Sequence, residues 1–148
     1  MVQESGGGAI VEFALVLPIL VNILFTTFEL GIILAIKICL ENGTTQAARF
    51  GSTGATTTGY TRLQSITNIM TSYGGVLIAP TSITTTVTSY PSFSVIPLLG
   101  TAGAGTGLQV VTYVSSYTYV PITPIVAAFF GSSHTLTLTA YGKNDNTF

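Results

Sequence analysis

One long apolar run dominates the first third of the chain. Residues 13–36 hold 24 positions and a single charged side chain, Glu29. A helix of that length rises about 36 Å at ~1.5 Å per residue, which is enough to cross a bilayer. Pro18 lacks an amide hydrogen and is expected to bend or loosen the helix. The pattern predicts a transmembrane helix over residues 8–52.

The pattern changes after a Thr/Gly-rich linker at 52–59. Apolar residues at helical spacing predict one short helix over 63–73. Period-two alternation then predicts three antiparallel strands, at 83–90, 108–120 and 136–141. Gly100 to Gly107 is expected to be a flexible glycine-rich loop, and the segment from Pro121 to Phe130 a connection with a short helical turn. The expected fold class is α+β, with the transmembrane helix followed by a small β-rich domain at 53–148.

Three polar residues interrupt the apolar run on one side of the predicted helix. Asn22, Thr26 and Glu29 follow one another at spacings of four and three, which places them on one face. Such a face can form a polar seam between packed helices, where each hydrogen bond contributes roughly 0.6–2 kcal/mol. Alternatively, Asn22 and Thr26 bond their own backbone and Glu29 reaches towards the interface.

Charged residues are scarce and unevenly placed. They make up 6% of the chain, and 63–142 contains no Asp, Glu, Lys or Arg, only His134. A surface of this kind tends to be covered by sister subunits, by sugar or by a membrane. Nucleic acid is not an expected partner, because the net charge of −1 leaves no basic stripe.

Catalytic chemistry is not expected of this sequence. An active site needs titratable groups that converge, and the distal domain offers only His134 beside Ser133. We therefore expect no enzyme activity, no cofactor and no metal site, and we interpret His134 as an ordinary residue at a strand edge.

A carboxylate stands just ahead of the apolar run, at Glu12. Facing lipid, an ionised carboxylate costs on the order of 2.5–3.5 kcal/mol, and no cation is close by in sequence. A free α-amino group on a neighbouring copy of the helix is the simplest partner. Glycines 6–8, just upstream, are expected to form an extended junction without side chains.

The order of these elements resembles a known family. Gly-Gly-Gly at 6–8, Glu12-Phe13, Ala-Leu-Val-Leu-Pro at 14–18, Phe-Glu-Leu-Gly at 28–31 and Glu-Asn-Gly-Thr-Thr-Gln-Ala-Ala-Arg-Phe-Gly at 41–51 are similar to the TadE-like pseudopilins and minor pilins of tight-adherence pili, a branch of the type IV pilus superfamily. The resemblance implies a leader at 1–7, cut by a prepilin peptidase between Gly7 and Gly8. Glu12 is then the fifth mature residue, placed with Phe13 to contact the new amino terminus of an adjacent subunit.

The leader departs from the family pattern. It carries Glu4 and neither Lys nor Arg, so the usual positive-inside signal is missing. Lys37 and Arg49 lie beyond the span, and on charge alone the orientation is undecided or even reversed.

The expected function is that of a structural pilin-like subunit, either a pseudopilin or a minor pilin, which supports pilus assembly and adhesion. Its partners would be other pilins in a homo- or hetero-oligomer, the assembly machinery, the peptidase and membrane lipid. The expected location is the inner membrane, single-pass, with the β-rich domain outside the cytoplasm or in a surface pilus. The alternative is a membrane-anchored binding module that recognises a sugar or protein through its uncharged Tyr/Thr-rich sheet.

Overall fold

The computed structural model describes residues 6–75 and 77–145, which form three α-helices and a four-stranded antiparallel sheet. Most of the predicted leader, residues 1–5, lies outside the described residues. The elements in chain order are α1 (Gly6–Ser52), α2 (Arg62–Ser72), β1 (Thr84–Tyr90), β2 (Thr101–Ala102), β3 (Val110–Tyr119), α3 (Pro124–Phe130) and β4 (His134–Lys143), with 3₁₀ turns at Pro80–Ser82 and Phe93–Val95.

The helix α1 runs as a single element of 47 residues through Pro18. Its most apolar 18-residue stretch is 0% buried inside the protein, although it is rich in Leu, Ile, Val and Phe. In water such a surface is unfavourable, since each large apolar side chain left exposed forgoes about 1.5–3 kcal/mol of burial. Its length and composition fit a single-pass membrane anchor.

The short helix α2 begins with reciprocal capping. Thr61 Oγ1 accepts a hydrogen bond from the Gln64 amide at 3.2 Å, and Gln64 Oε1 accepts one from the Thr61 amide at 2.9 Å. The two bonds satisfy donors that a helix start otherwise leaves open. Ile66 and Met70 form its buried face, at the helical spacing that predicted this element.

The sheet has the strand order β2-β1-β3-β4. In the central pair, β1 and β3 are antiparallel, from Thr84 opposite Ser116 to Tyr90 opposite Val110. The three predicted strands correspond to β1, β3 and β4. The fourth strand, β2, lies within the segment at 100–107 that is predicted to be a loop, and the prediction is wrong at Thr101 and Ala102. Ala102 pairs with Thr88 there, and the neighbouring Gly103 amide donates to the Val87 carbonyl at 2.9 Å.

The hydrophobic core joins the last turns of α1 to α2 and the sheet. Its buried members are Ala47, Ala48, Ile66, Met70, Val87, Ala104, Val111 and Tyr113. Two glycines of α1 allow this close packing. A Cβ at Gly43 would lie 2.6 Å from the Met70 carbonyl oxygen, and one at Gly51 would overlap the Tyr113 ring. Gly43 is therefore a packing site, where α1 approaches the backbone of α2 closely.

The described chain divides into two compact units. One consists of residues 6–34 and 120–134, and the other holds 35–75, 77–119 and 135–145. The sequence-based boundary after residue 52 marks the end of α1, whereas the structural division falls inside this helix.

Candidate assembly and membrane site

Glu29, the single charge of the apolar run, is buried within the first unit. Its side chain is 2% exposed. The carboxylate accepts hydrogen bonds from the Ile122 amide at 2.5 Å and the Thr123 amide at 2.8 Å, and a third from the Thr123 hydroxyl. Three donors satisfy an anion that would otherwise be costly to remove from water.

The local sequence explains why the two amides point at Glu29. Thr123 has the extended backbone of a helix N-cap (φ −93°, ψ 143°), and its hydroxyl accepts from the Val126 amide at 3.4 Å. Pro124 occupies the first helical position, where a missing amide hydrogen costs nothing. The Thr123 hydroxyl thus links the start of α3 to the Glu29 carboxylate.

The other two residues of the predicted seam bond to their own helix. Asn22 Nδ2 donates to the Pro18 carbonyl at 3.0 Å, and Thr26 Oγ1 donates to the Asn22 carbonyl at 2.7 Å. Asn22 and Thr26 thus form the local backbone hydrogen bonds that the alternative interpretation predicts. Glu29 differs from that interpretation, because it binds the backbone of residues 122–123 and does not reach towards the membrane interface. Use of this face between helices of different subunits stays a prediction.

The predicted processing and assembly residues lie at the exposed start of α1. Gly7, Gly8, Glu12 and Phe13 are all open to the surroundings, and nothing lies within 4 Å of a Cβ placed at either glycine. The junction expected to be extended is helical from Gly6, because glycine tolerates the helix that continues upstream from Ala9. Within the described residues Glu12 has no hydrogen-bond or ion-pair partner.

In the second unit, Arg62 connects three separate segments. Its guanidinium donates to the Gly51 carbonyl at 2.5 Å, the Gly105 carbonyl at 2.9 Å and Asn144 Oδ1 at 2.9 Å. Partial burial lowers the pKa of Arg62 from its ordinary value, and the nearby Tyr113 opposes this effect. Sequence analysis missed this cluster, since two acceptors are backbone oxygens and the third is 82 residues away.

Tyr113 lies at the centre of the same unit and is 0% exposed. Within the described part of the chain its hydroxyl has no hydrogen-bond partner. Burial raises the pKa of Tyr113 above its ordinary value, and the positive charge of Arg62 partly offsets the rise. The ring closes the core beneath Gly51.

His134 begins β4 and is exposed, with its ring centroid 5.3 Å from that of Phe130. Across residues 6–75 and 77–145, no group of three or more His, Cys, Asp or Glu side chains is placed to hold a metal ion. Glu29 and Arg62 each form hydrogen bonds to backbone groups of distant segments and hold those segments in place.

In a comparison with known families, residues 7–49 match the family described as TadE-like protein. The resemblance predicted from the motifs is thereby confirmed for this segment, which contains the glycine junction, Glu12 and the whole apolar run. No curated protein and no solved structure matches the chain. The family match supports a pilin-like role associated with tight-adherence pili.

Proposed function

We propose that this chain, whose residues 7–49 match the TadE-like family, is a structural pseudopilin or minor pilin that joins a tight-adherence pilus through α1. The observation that carries this function is Glu12. It is an exposed carboxylate at the start of a helix built for lipid, and it has no partner among the described residues.

Cleavage between Gly7 and Gly8 would supply the missing cation. The new α-amino group would lie at Gly8, one helical turn before Glu12, and would therefore be present at the same level on every copy of the helix. A charge-assisted hydrogen bond between Glu12 of one subunit and the amino terminus of its neighbour contributes roughly 1.5–3 kcal/mol. Phe13 would pack beside this contact.

In this function the chain is a single-pass protein of the inner membrane, with its β-rich half outside the cytoplasm. The subunit then leaves the inner membrane and enters a surface pilus that is used for adhesion. Its partners are the prepilin peptidase, the assembly machinery and other pilins. It carries out no catalysis. The shortage of titratable groups between residues 63 and 142 favours this assignment over an exported enzyme.

Two measurements test the function. Mass spectrometry of the amino-terminal peptide from native cells should find a mature chain that begins Gly-Ala-Ile-Val-Glu-Phe, and a predominant terminus at residue 1 or 2 would count against processing. For assembly, the Glu12→Leu variant should reach the membrane at normal abundance but fail to co-purify with the other pilins, whereas Glu12→Asp should retain partial assembly.

The matched control is Glu41→Leu, which removes another exposed carboxylate of the same helix beyond the apolar run. It should assemble normally. Should Glu12→Leu enter complexes at the wild-type level, the carboxylate is not an assembly contact. A membrane-anchored binding module would then be the better description.

A further inference from the structure

We propose that residues 120–131 form a second membrane-embedded segment, which inserts beside α1 and contacts lipid acyl chains directly. This segment, Val-Pro-Ile-Thr-Pro-Ile-Val-Ala-Ala-Phe-Phe-Gly, connects β3 to β4 and contains no charged residue. Its insertion requires only that α1 crosses a bilayer, so it does not depend on pilus assembly.

The contacts of the segment place it at membrane depth. Ile122 and Thr123 bond to Glu29, and Ile125 shares a groove with residues 18–23 of α1. A hydrocarbon core of about 30 Å is filled by about 20 helical residues. Any 20-residue stretch chosen within the apolar run 13–36 includes residues 18–29. Wherever the helix sits along the bilayer normal, the partners of the segment therefore lie inside the hydrocarbon.

The free surface of the segment suits lipid and does not suit water. Phe129 is 83% exposed and Ile122 is 77% exposed, and Val120 and Phe130 are exposed as well. Transfer of such side chains from water to an apolar phase is favourable. The most apolar 18-residue stretch of α1 is likewise 0% buried, so the segment and the helix both present apolar side chains to the surroundings.

Insertion also explains the buried carboxylate. Lipid offers no hydrogen bonds, so the open amides that precede a helix must be satisfied within the protein. Glu29 accepts from the amides of Ile122 and Thr123, and the Thr123 hydroxyl accepts from the Val126 amide. At the other end of α3, the Gly131 amide donates to the Ala127 carbonyl at 2.9 Å. We infer that Glu29 serves as the polar anchor that holds this connection in the bilayer.

Depth-dependent fluorescence quenching tests the insertion. Cys39 is the only cysteine, so a Cys39→Ser background allows single labels on the full-length protein. An environment-sensitive fluorophore is attached at Phe129→Cys, with Phe25→Cys in the exposed part of the span as the lipid control. Thr56→Cys, in the exposed linker after α1, serves as the water control. The protein is reconstituted into vesicles of phosphatidylethanolamine and phosphatidylglycerol.

The label at Phe129 should lose as much fluorescence as the label at Phe25 when the lipids carry a nitroxide midway along the acyl chain. It should resist aqueous iodide, which quenches the label at Thr56. Quenching by iodide alone would overturn insertion and leave the segment in water. Resistance to both quenchers would also overturn it and would assign the surface to another copy of the chain.

The role of Glu29 has its own test in the same assay. In Glu29→Ala the amides of Ile122 and Thr123 lose their acceptor, so the label at Phe129 should become accessible to iodide. Glu41→Ala, which removes an exposed carboxylate outside the apolar run, should leave the quenching unchanged. If Glu29→Ala gives the wild-type pattern, the carboxylate does not hold the segment in lipid.

Discussion

Replacement of Gly51 by alanine should destabilise the protein, although alanine is the better helix former. Gly51 lies in the last turn of α1. A Cβ at this position would lie 2.9 Å from Cζ of Tyr113 and 3.0 Å from Cε1, and closer still to the hydroxyl oxygen. The Tyr113 ring is 0% exposed, so any displacement of it disturbs the surrounding core.

Two opposing effects set the size of the change. Alanine in place of glycine inside a helix stabilises by about 1 kcal/mol. Forcing extra volume into a packed core costs about 1–3 kcal/mol. For Gly51→Ala we expect the second effect to prevail and the free energy of unfolding to fall by up to about 2 kcal/mol.

The control is Gly31→Ala on the same helix, where nothing lies within 4 Å of the new Cβ. Only the propensity effect remains there, so this variant should be neutral or slightly more stable. Urea unfolding of the full-length chain in detergent, followed by the near-ultraviolet circular dichroism of tyrosine, measures both. Equal effects of the two substitutions would refute the packing of Tyr113 against Gly51.

A second substitution strengthens the test. Tyr113→Phe removes the oxygen that overlaps most with the new Cβ, so the loss in Gly51→Ala should be partly recovered in the double variant. The recovery should be incomplete, because Cζ and Cε1 remain close. Additive effects would show that the two residues do not touch.

Three further outcomes follow from the second unit. Because the pKa of Tyr113 is raised in the folded state, the unfolded state loses the phenol proton at lower pH. The free energy of unfolding should therefore fall as pH rises above about 10, by at most about 1.4 kcal/mol per pH unit. Tyr113→Phe should flatten that part of the pH profile. Arg62→Met removes three hydrogen bonds from a partly exposed guanidinium and should lower the free energy of urea unfolding by about 2–4 kcal/mol. A loss below ~0.5 kcal/mol would contradict the role of this cluster. Thr44→Val deprives the buried Ser115 hydroxyl of its partner at 2.8 Å and should cost about 1–3 kcal/mol, whereas Thr44→Ser should retain most of the stability.

The elements that the sequence predicts well are those with local periodicity. The apolar run, the stripe of α2 and the alternation in β1, β3 and β4 are each visible within a short window. The strand β2 was missed because it has only two residues, set among glycines, and exists through its pairing with β1. Local pattern contains no information about such a pairing.

The candidate site could be predicted only in part. Glu12 and Glu29 stand out as charges in an apolar context, but the donors to Glu29 lie 93 and 94 residues further along the chain. One signal for them is present: Thr123-Pro124 is a helix-start pattern inside an uncharged segment. An acceptor for its open amides was needed, and Glu29 is the single carboxylate of the apolar run.

The last third of α1 belongs to the core of the second unit, and this has a consequence for proteolysis. The exposed linker at 53–59 is a natural place for a protease to cut. A cut there would sever the chain without releasing the β-rich half, because Ala47, Ala48 and the Thr44–Ser115 hydrogen bond would still hold the two fragments together. Shaving of cells should therefore leave nicked protein in the membrane fraction, and the fragments should separate only in denaturant.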